Sequence, residues 1–526
     1  MEKRQCDVLV IGGGETGIRA AVEARRAGAQ EVILLTKGKF GSAGVMFSEL
    51  TYGWDMQAAT GANDPTDSPA VFFDDVMAAA QGTCDPRLVQ VVTQEAASRV
   101  EDLVDLFGLE LLSGADGRPR QVYGCFSSRN RAYQFIHPAR IKERMQQSVS
   151  KFGVTLLEGY MAVELLKEDG VCRGAVALAR DGGALCCRAG AVILAAGGAT
   201  GIYQHNFASP GMTGDGYSLA YRAGCTLANL EFMQFGLGVL EPKYRALFLD
   251  RILCLKPDIR FRQEHAFPRP LEELMEQHAK HFPFSCMDSS FALDAAIFQE
   301  TLENDGRGVE VDLSVIPRER LEEIPVWGLY YSWFDSDKNP YDNPMAITPF
   351  AHACNGGVKI NEEAMTEVSG LYAAGEMAAG PHGANRLGGY MHAACQVFGT
   401  RAGRNAARFA KEHPAGPDGA EIFLPVPSGG EPLDLEAVRR RTGELLWRNV
   451  NVVRCGADMT AALEEVRCWQ AALERSAPAD LWAYFETRST LLSAELILSA
   501  ALARQESRGS HYRKDFPQTD PVPYVL

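Results

Sequence analysis

Three glycines near the start of the chain have the spacing of a loop that binds a dinucleotide. They are Gly12, Gly14 and Gly17. They follow the apolar run Val8–Ile11 and precede a helical run from Ile18 to Ala27. The first glycine permits a tight turn, the second lets a pyrophosphate approach the backbone, and the third lets the helix pack on the strand. Because the helix N-terminus would then face the anionic pyrophosphate, we interpret the motif as a dinucleotide site rather than an ordinary glycine-rich turn.

The residues after the next apolar run, Val32–Leu35, narrow the choice of dinucleotide. NAD-binding units usually place Asp or Glu here to hold the adenosine ribose. This chain has Thr36 and Lys37 instead, which argues against NAD. The small-residue loop 41–44 follows shortly afterwards, and such a loop lets a flat ligand lie close to the backbone.

Composition excludes several classes of function. The net charge of −15 argues against nucleic acid or an anionic membrane surface as a partner. The thirteen cysteines are scattered without a Cys-x-x-Cys pair, so we expect no zinc, iron–sulfur or haem site within the chain, and a reducing cytoplasmic location. No apolar run reaches about 18 residues, which predicts no membrane-spanning helix. The first strand begins too early to leave room for a cleavable signal.

The chain is long enough for about two to four domains. Glycine-rich apolar segments occupy residues 1–235 and return at 345–413, which predicts one domain built from two parts. Residues 236–344 mix aromatics, prolines and charges and are predicted to form an inserted cap domain. Residues 414–432 are rich in Pro and Gly and are typical of a linker. The apolar spacing within 433–526 predicts a C-terminal helical domain.

Several short motifs follow one another in a fixed order along nearly the whole chain. Besides the glycine loop they are Thr36-Lys37, Ala195–Gly198, Thr213–Gly216, Glu231–Phe235, His352–Gly357, Gly370–Glu376, His382–Gly389 and Glu506–Pro517. As an ordered set they resemble the flavoprotein subunit family of succinate dehydrogenase and fumarate reductase, which includes L-aspartate oxidase and has the adenylylsulfate reductase flavoprotein as a relative. The resemblance implies FAD as cofactor. It also implies an α/β fold, with a Rossmann-type FAD-binding domain of the glutathione-reductase kind, an inserted α+β cap domain and a C-terminal helical domain.

The resemblance assigns FAD contacts to residues of these motifs. Glu376 is similar to the acidic residue that holds a ribityl or ribose hydroxyl. Asp215 is similar to the acid near the adenosine end, with a helix N-cap as the alternative. The FAD-binding residues that we predict are Gly12, Gly14, Gly17, Thr36, Lys37, Ser42, Ala43, Gly44, Ala196, Gly197, Asp215, Glu376 and Gly389.

The resemblance also implies a substrate site beside the flavin. His352 and Arg386 match the family residues that bind a substrate carboxylate. Arginine suits this task because its planar fork binds a carboxylate bidentately, and a positive imidazole would favour a dianion. A structural ion pair is the alternative for Arg386, and a core imidazole is the alternative for His352. The proton-shuttling arginine of the family corresponds in position to Arg251, or failing that to Arg245, with a solvated surface arginine as the alternative.

Three segments depart from the family pattern. The flavin-linking histidine is missing, because Gly41-Ser42-Ala43-Gly44 stands in its place, so we predict non-covalent FAD. Gly236-Leu237-Gly238 replaces His-Pro-Thr, and Tyr390-Met391-His392-Ala393 replaces the Asn-Ser-Leu-Leu that touches the isoalloxazine. The flavin pocket is therefore expected to be remodelled, and fumarate or succinate is not implied as the substrate.

The resulting hypothesis is an FAD oxidoreductase that transfers hydride between flavin N5 and a small carboxylate-bearing substrate, reducing an activated C=C bond. One alternative is an oxidase or dehydrogenase that acts on an amino or hydroxy acid, as L-aspartate oxidase does. Another is a subunit similar to the adenylylsulfate reductase flavoprotein in an iron–sulfur electron-transfer complex. The sequence names neither the substrate nor the electron donor.

Overall fold

The computed structural model describes residues 1–42, 44, 54–114, 116–135, 138–209, 211–324, 326–416, 424, 426–427 and 429–526. Ala43 and nine of the nineteen residues of the expected linker 414–432 lie outside these residues. The strands are β1 (Glu2–Ile11), β2 (Val32–Thr36), β3 (Trp54–Gln57), β4 (Gln121–Tyr123), β5 (Asn130–Phe135), β6 (Thr155–Glu158), β7 (Tyr160–Glu168), β8 (Val171–Ala179), β9 (Ala184–Leu194), β10 (Leu227–Ala228), β11 (Met233–Glu241), β12 (Asp258–Arg260), β13 (Val309–Asp312), β14 (Met345–Cys354), β15 (Gly357–Lys359), β16 (Leu371–Ala373) and β17 (Ala378–Ala379). The helices are α1 (Glu15–Arg26), α2 (Pro69–Ala80), α3 (Pro86–Asp105), α4 (Pro138–Lys151), α5 (Asp215–Ala223), α6 (Leu271–His278), α7 (Phe291–Glu303), α8 (Arg318–Glu322), α9 (Trp327–Tyr331), α10 (Tyr390–Glu412), α11 (Leu435–Asn449), α12 (Gly456–Glu474) and α13 (Leu481–Ala503).

The largest sheet places its central strands in parallel. Its order is β6-β2-β1-β9-β8-β7, and β16 also pairs with β9. Ile11 of β1 lies opposite Leu35 of β2 and Leu194 of β9. The carboxyl ends of these three strands therefore meet at one edge of the sheet, which is where open α/β sheets bind ligands.

One expected strand is two strands in the structure. The apolar pattern from Thr155 to Val163 favours a single strand, but Gly159 has a φ of +73° and separates β6 from β7. β6 pairs with β2 at one side of the sheet, and β7 pairs with β8 at the other. The left-handed backbone at Gly159 lets the chain change direction, a change that the apolar pattern does not encode.

A second hydrophobic core supports the cap. It includes buried side chains from Leu237 to Ile347 and lies around a sheet of order β11-β14-β13-β12. β11 begins at Met233 and β14 continues to Cys354. β11 therefore begins before the expected cap segment 236–344 and β14 lies wholly after it, so the sheet of the cap includes residues assigned to the FAD-binding part. The domain bounds stay a prediction.

Helices α11, α12 and α13 pack together, and α13 also packs on α5. The last residues return to the core, where Arg504 forms buried ion pairs with Glu231 at 2.7 Å and Glu506 at 2.6 Å. The helical C-terminal part and the α/β core match the fold class predicted from the sequence. Within the residues described above, no helix combines the length and apolar character needed to cross a membrane.

Candidate active site

A cavity of about 350 Å³ opens at the carboxyl ends of β1, β2 and β9. Its wall includes most of the predicted cofactor residues, together with both predicted carboxylate-binding residues. These are Gly12, Gly14, Thr36, Lys37, Gly44, Ala196, Gly197, Asp215, Glu376, Gly389, His352 and Arg386. Phe282 and Pro283 close the wall from the cap. The fold thus brings motifs from distant parts of the chain to one cavity.

The three glycines of the first loop have different structural roles. Gly12 has a φ of +123°, and a Cβ there would lie 2.1 Å from the Ala195 carbonyl oxygen. A Cβ on Gly17 would lie 1.8 Å from the Gly12 carbonyl oxygen. Among the described atoms, the nearest neighbour of a Cβ on Gly14 would be Gly44 Cα at 3.9 Å. Gly12 and Gly17 are therefore required by packing, whereas Gly14 keeps the space in front of α1 open.

The N-terminus of α1 points into this space without a side-chain cap in the described part of the chain. Its first N–H groups are therefore available to an anionic group. A pyrophosphate requires open space beside the backbone and free N–H groups at a helix N-terminus. The loop has both features, so it fits the FAD that the sequence implies.

Lys37, on the cavity wall, forms polar contacts with three side chains. Its Nζ lies 2.8 Å from Asp215 Oδ2 and 2.9 Å from Glu486 Oε1, and it donates to Thr213 Oγ1 at 2.7 Å. Asp215 is the first residue of α5 rather than its N-cap, which is Gly214. The N-cap alternative for Asp215 is therefore wrong, and Lys37 joins the cavity wall to the C-terminal helices.

Glu376 lies on the cavity wall beside β14. The Cys354 N–H donates to Glu376 Oε1 at 3.0 Å. Burial raises the pKa of Glu376, while backbone hydrogen bonds from Cys354 and Gly198 oppose that shift. The side chain is thus fixed by backbone donors and available to bind a hydroxyl group of the cofactor.

Arg386 is a buried cation held by neutral groups. Its Nε donates to Gln234 Oε1 at 3.0 Å, and Nη1 donates to the Leu387 carbonyl at 3.1 Å. Burial lowers the pKa of Arg386. No carboxylate among the described residues forms an ion pair with it, so the structural ion pair considered from the sequence is not found there. Glu376 acts on Arg386 electrostatically but forms no ion pair with it, and a buried guanidinium without an ion pair favours an anionic ligand in the cavity.

His352 faces the same end of the cavity as a neutral imidazole. Burial and the nearby Arg386 lower the pKa of His352 to about 3. The structure therefore favours the neutral form of His352 over the positive form considered from the sequence, because a second buried cation beside Arg386 is unfavourable. The ring packs edge-to-face on Phe282 at 5.6 Å, and Nδ1 has no partner among the described atoms. A neutral imidazole still supplies one donor and one acceptor.

Four other predicted site residues are not among the described residues that line the cavity, namely Gly17, Ser42, Arg245 and Arg251. Gly17 packs behind the glycine loop, and the Ser42 hydroxyl is exposed and donates to the Lys39 carbonyl at 2.6 Å. Arg251 is exposed at the start of a 3-10 turn, and Arg245 Nε donates to the Asn206 carbonyl at 3.1 Å. Neither arginine is among the described lining residues, although Arg251 acts electrostatically on Asp55 of the wall, and the role of Arg251 stays a prediction. Ala43 lies outside the described residues.

The sequence reasoning missed three acid–base residues of the wall, namely Glu15, Asp55 and His392. Glu15 and His392 form a pair at 2.7 Å. Burial raises the pKa of Asp55, and its Oδ1 has no partner among the described atoms. The available signals were Glu15 inside the glycine motif and His392 shortly after Gly389. Nothing in the sequence indicated that these two residues would lie in contact.

Comparison with known proteins identifies the family. Residues 7–391 match a family model described as an FAD binding domain, and residues 439–525 match one described as the fumarate reductase flavoprotein C-terminus. The chain belongs to the fumarate reductase and succinate dehydrogenase flavoprotein family. The resemblance noted in the sequence is thus confirmed. This flavoprotein is an FAD-dependent oxidoreductase.

Relatives and solved structures match this flavoprotein along nearly its whole length. It is 31% identical to a fumarate reductase (CoM/CoB) subunit of Methanothermobacter marburgensis, covering 99% of this chain and 96% of that protein. It is 26% identical to an L-aspartate oxidase of Nostoc, covering 98% and 92%. Sdh1 of Mycobacterium smegmatis, solved in complex with UQ1, has a TM-score of 0.83 and 26% identity, covering 99% of this chain and 90% of that one.

We expect the FAD of this flavoprotein to be released by acid. The loop 41–44 offers no histidine for a covalent link. The cavity-lining thiols are also poor nucleophiles, because burial raises the pKa of Cys125 to about 11 and raises that of Cys395. Acid precipitation should leave the yellow cofactor in the supernatant. Flavin fluorescence that stays with the protein band on a denaturing gel would contradict this expectation.

Proposed function

We propose that this flavoprotein transfers hydride between flavin N5 and a carbon near the carboxylate of a small substrate, and that it reduces an activated C=C bond. The observation that carries the proposal is Arg386, a buried cation on the cavity wall with no described acidic partner. Bound FAD supplies the hydride chemistry. In the reductive direction, a hydride and a proton add to the two alkene carbons.

The chain's own residues would bind and orient the substrate. Arg386 presents a planar fork to the substrate carboxylate, and Gln234 fixes that fork through Nε. His352 lies on the same wall and offers a neutral donor to a second polar group of the substrate. Phe282 and Pro283 line the site from the cap. Arg251 remains the proposed proton donor by resemblance alone.

A paired set of acceptors tests this function. Protein reduced with a limiting amount of dithionite, under anaerobic conditions, is mixed with unsaturated mono- and dicarboxylic acids and with the amides of the same acids. We expect the oxidised-flavin absorbance to return with at least one acid and not with its amide. A neutral amide cannot form an ion pair with Arg386. Equal reoxidation by an acid and its amide would contradict the carboxylate requirement.

Oxidation of an amino or hydroxy acid is the second candidate. The likeness to an L-aspartate oxidase favours it, and Arg386 would bind the carboxylate of such a substrate equally well. To distinguish substrate oxidation from C=C reduction, the oxidised protein is mixed anaerobically with amino and hydroxy acids. Bleaching of the flavin by one of these acids, with no reoxidation by any unsaturated acid, would favour the oxidase.

We also propose that the chain works with an iron–sulfur or other electron-transfer subunit in the cytoplasm. One relative is named as one subunit of a fumarate reductase, which supports a multi-subunit assembly. The scattered cysteines support a reducing compartment. Co-purification of the native protein from its source, followed by iron analysis, tests the partner.

A further inference from the structure

A carboxylate and a histidine meet where two helices begin at the cavity. Glu15 is the first residue of α1, and His392 is the third residue of α10. His392 Nδ1 lies 2.7 Å from Glu15 Oε2, and Gln396 Nε2 donates to Glu15 Oε1 at 2.8 Å. Glu15 is only 6% exposed, and both members of the pair line the cavity. Neither residue has a role in the function proposed above.

The pair fixes which nitrogen of the imidazole carries its proton. An ionised carboxylate only accepts hydrogen bonds, so Nδ1 is the donor to Glu15. A second acid, Asp55, faces the same imidazole, and the charge on His392 opposes the burial that raises the pKa of Asp55. Glu15 and Asp55 therefore both interact with His392 at the cavity wall.

The pair lies between the two ends of the site. Glu15 follows Gly14 of the pyrophosphate loop directly, and His392 follows Gly389, shortly after Arg386. The N-terminus of α10 has no side-chain cap among the described residues, and Met391 and His392 contribute to the wall there. The Glu15–His392 pair and a helix N-terminus, which carries a partial positive charge, thus lie at the same part of the cavity.

We propose that Glu15 positions His392, and that His392 stabilises the negative charge added to the flavin on reduction and so sets the redox potential of the FAD. Two electrons come from the external donor, and the accompanying proton comes from solvent. A positive charge held at the cavity wall favours the reduced form over the oxidised form. The inference requires bound FAD but not the carboxylate substrate.

Redox titration of the holoprotein against a reference dye, with no acceptor present, tests the role of His392. His392→Gln keeps a donor for Glu15 but carries no charge. We expect it to retain FAD while the midpoint potential falls by about 30 mV or more, which corresponds to a tenfold loss in the relative stability of the reduced form. His392→Lys keeps the charge and is expected to stay near the wild-type potential.

A second histidine–carboxylate pair provides the matched control. His265 Nε2 lies 3.2 Å from Glu300 Oε2 in the cap, away from the cavity wall as described. His265→Gln should leave the potential unchanged. An unchanged potential in His392→Gln, or an equal fall in His392→Lys, would overturn the proposal. Loss of FAD from both His392 variants would also overturn it, whereas loss from His392→Gln alone would support a role for the charge. Because the titration uses no substrate, failure of the proposed C=C reduction leaves this result intact.

Discussion

Arg386→Ala is expected to keep bound FAD and an oxidised-flavin spectrum close to that of the wild type, while turnover on a carboxylate substrate falls by roughly 10³-fold or more. The guanidinium is the buried cation of the cavity wall, and Gln234 and the Leu387 carbonyl fix it in place. Loss of one partner of a buried charge pair costs about 2–5 kcal/mol. Misorientation of the substrate adds to that loss. The measurement is turnover per bound flavin.

Two further variants separate binding from folding. Arg386→Lys should recover little activity, because an ammonium group cannot present the planar fork to a carboxylate. Arg439→Ala removes a partly buried arginine that bonds the Ala483 carbonyl and Thr487 Oγ1 and is not among the described lining residues, and it should keep normal turnover per flavin. Near wild-type turnover per flavin in Arg386→Ala would rule out the carboxylate role and the main reason to expect an acid substrate.

Gly14→Val is expected to give a folded protein that binds no FAD. The φ of Gly14 is −80°, which valine accepts, and the space beside it is open as far as Gly44. The new side chain would therefore fit the apoprotein but fill the place of the pyrophosphate in front of α1. The flavin-to-protein absorbance ratio measures the loss of FAD, and circular dichroism checks the fold.

Gly17→Ala is the matched comparison within the same motif. Its Cβ would lie 1.8 Å from the Gly12 carbonyl oxygen, so this smaller substitution should disrupt the packing of α1 on β1 and reduce the yield of folded protein. Recovery of Gly14→Val with a full complement of FAD would show that the glycine spacing does not mark the pyrophosphate site.

Much of the first half of the fold could be predicted because its signals are local. The buried run Val8–Ile11, the glycine turn and the following helix are encoded in adjacent residues. The structure confirms this order, with β1 extended to Glu2 and α1 beginning at Glu15. The ordered motifs also predicted the family and FAD, and both are confirmed.

Strand division and domain bounds depended on pairing between distant segments. Gly159 separates β6 from β7 because the two strands have different partners in the sheet. Likewise β11 begins at Met233, inside the segment assigned to the FAD-binding part, because it pairs with β14 more than a hundred residues later. An apolar pattern shows that a strand forms but not which strand it joins.

The sequence by itself determined the dinucleotide loop, the cofactor and the types of residue that could bind a carboxylate, since each depends on a short motif. Only the tertiary structure decided their electrostatic state. Burial beside Arg386 favours a neutral His352, and Arg386 forms its described hydrogen bonds to Gln234 and the Leu387 carbonyl while Glu376 acts on it electrostatically without forming an ion pair. Glu15 and His392 are 377 residues apart and meet because α1 packs against α10. Charge and hydrogen bonding depend on distances in space, which spacing along the chain does not fix.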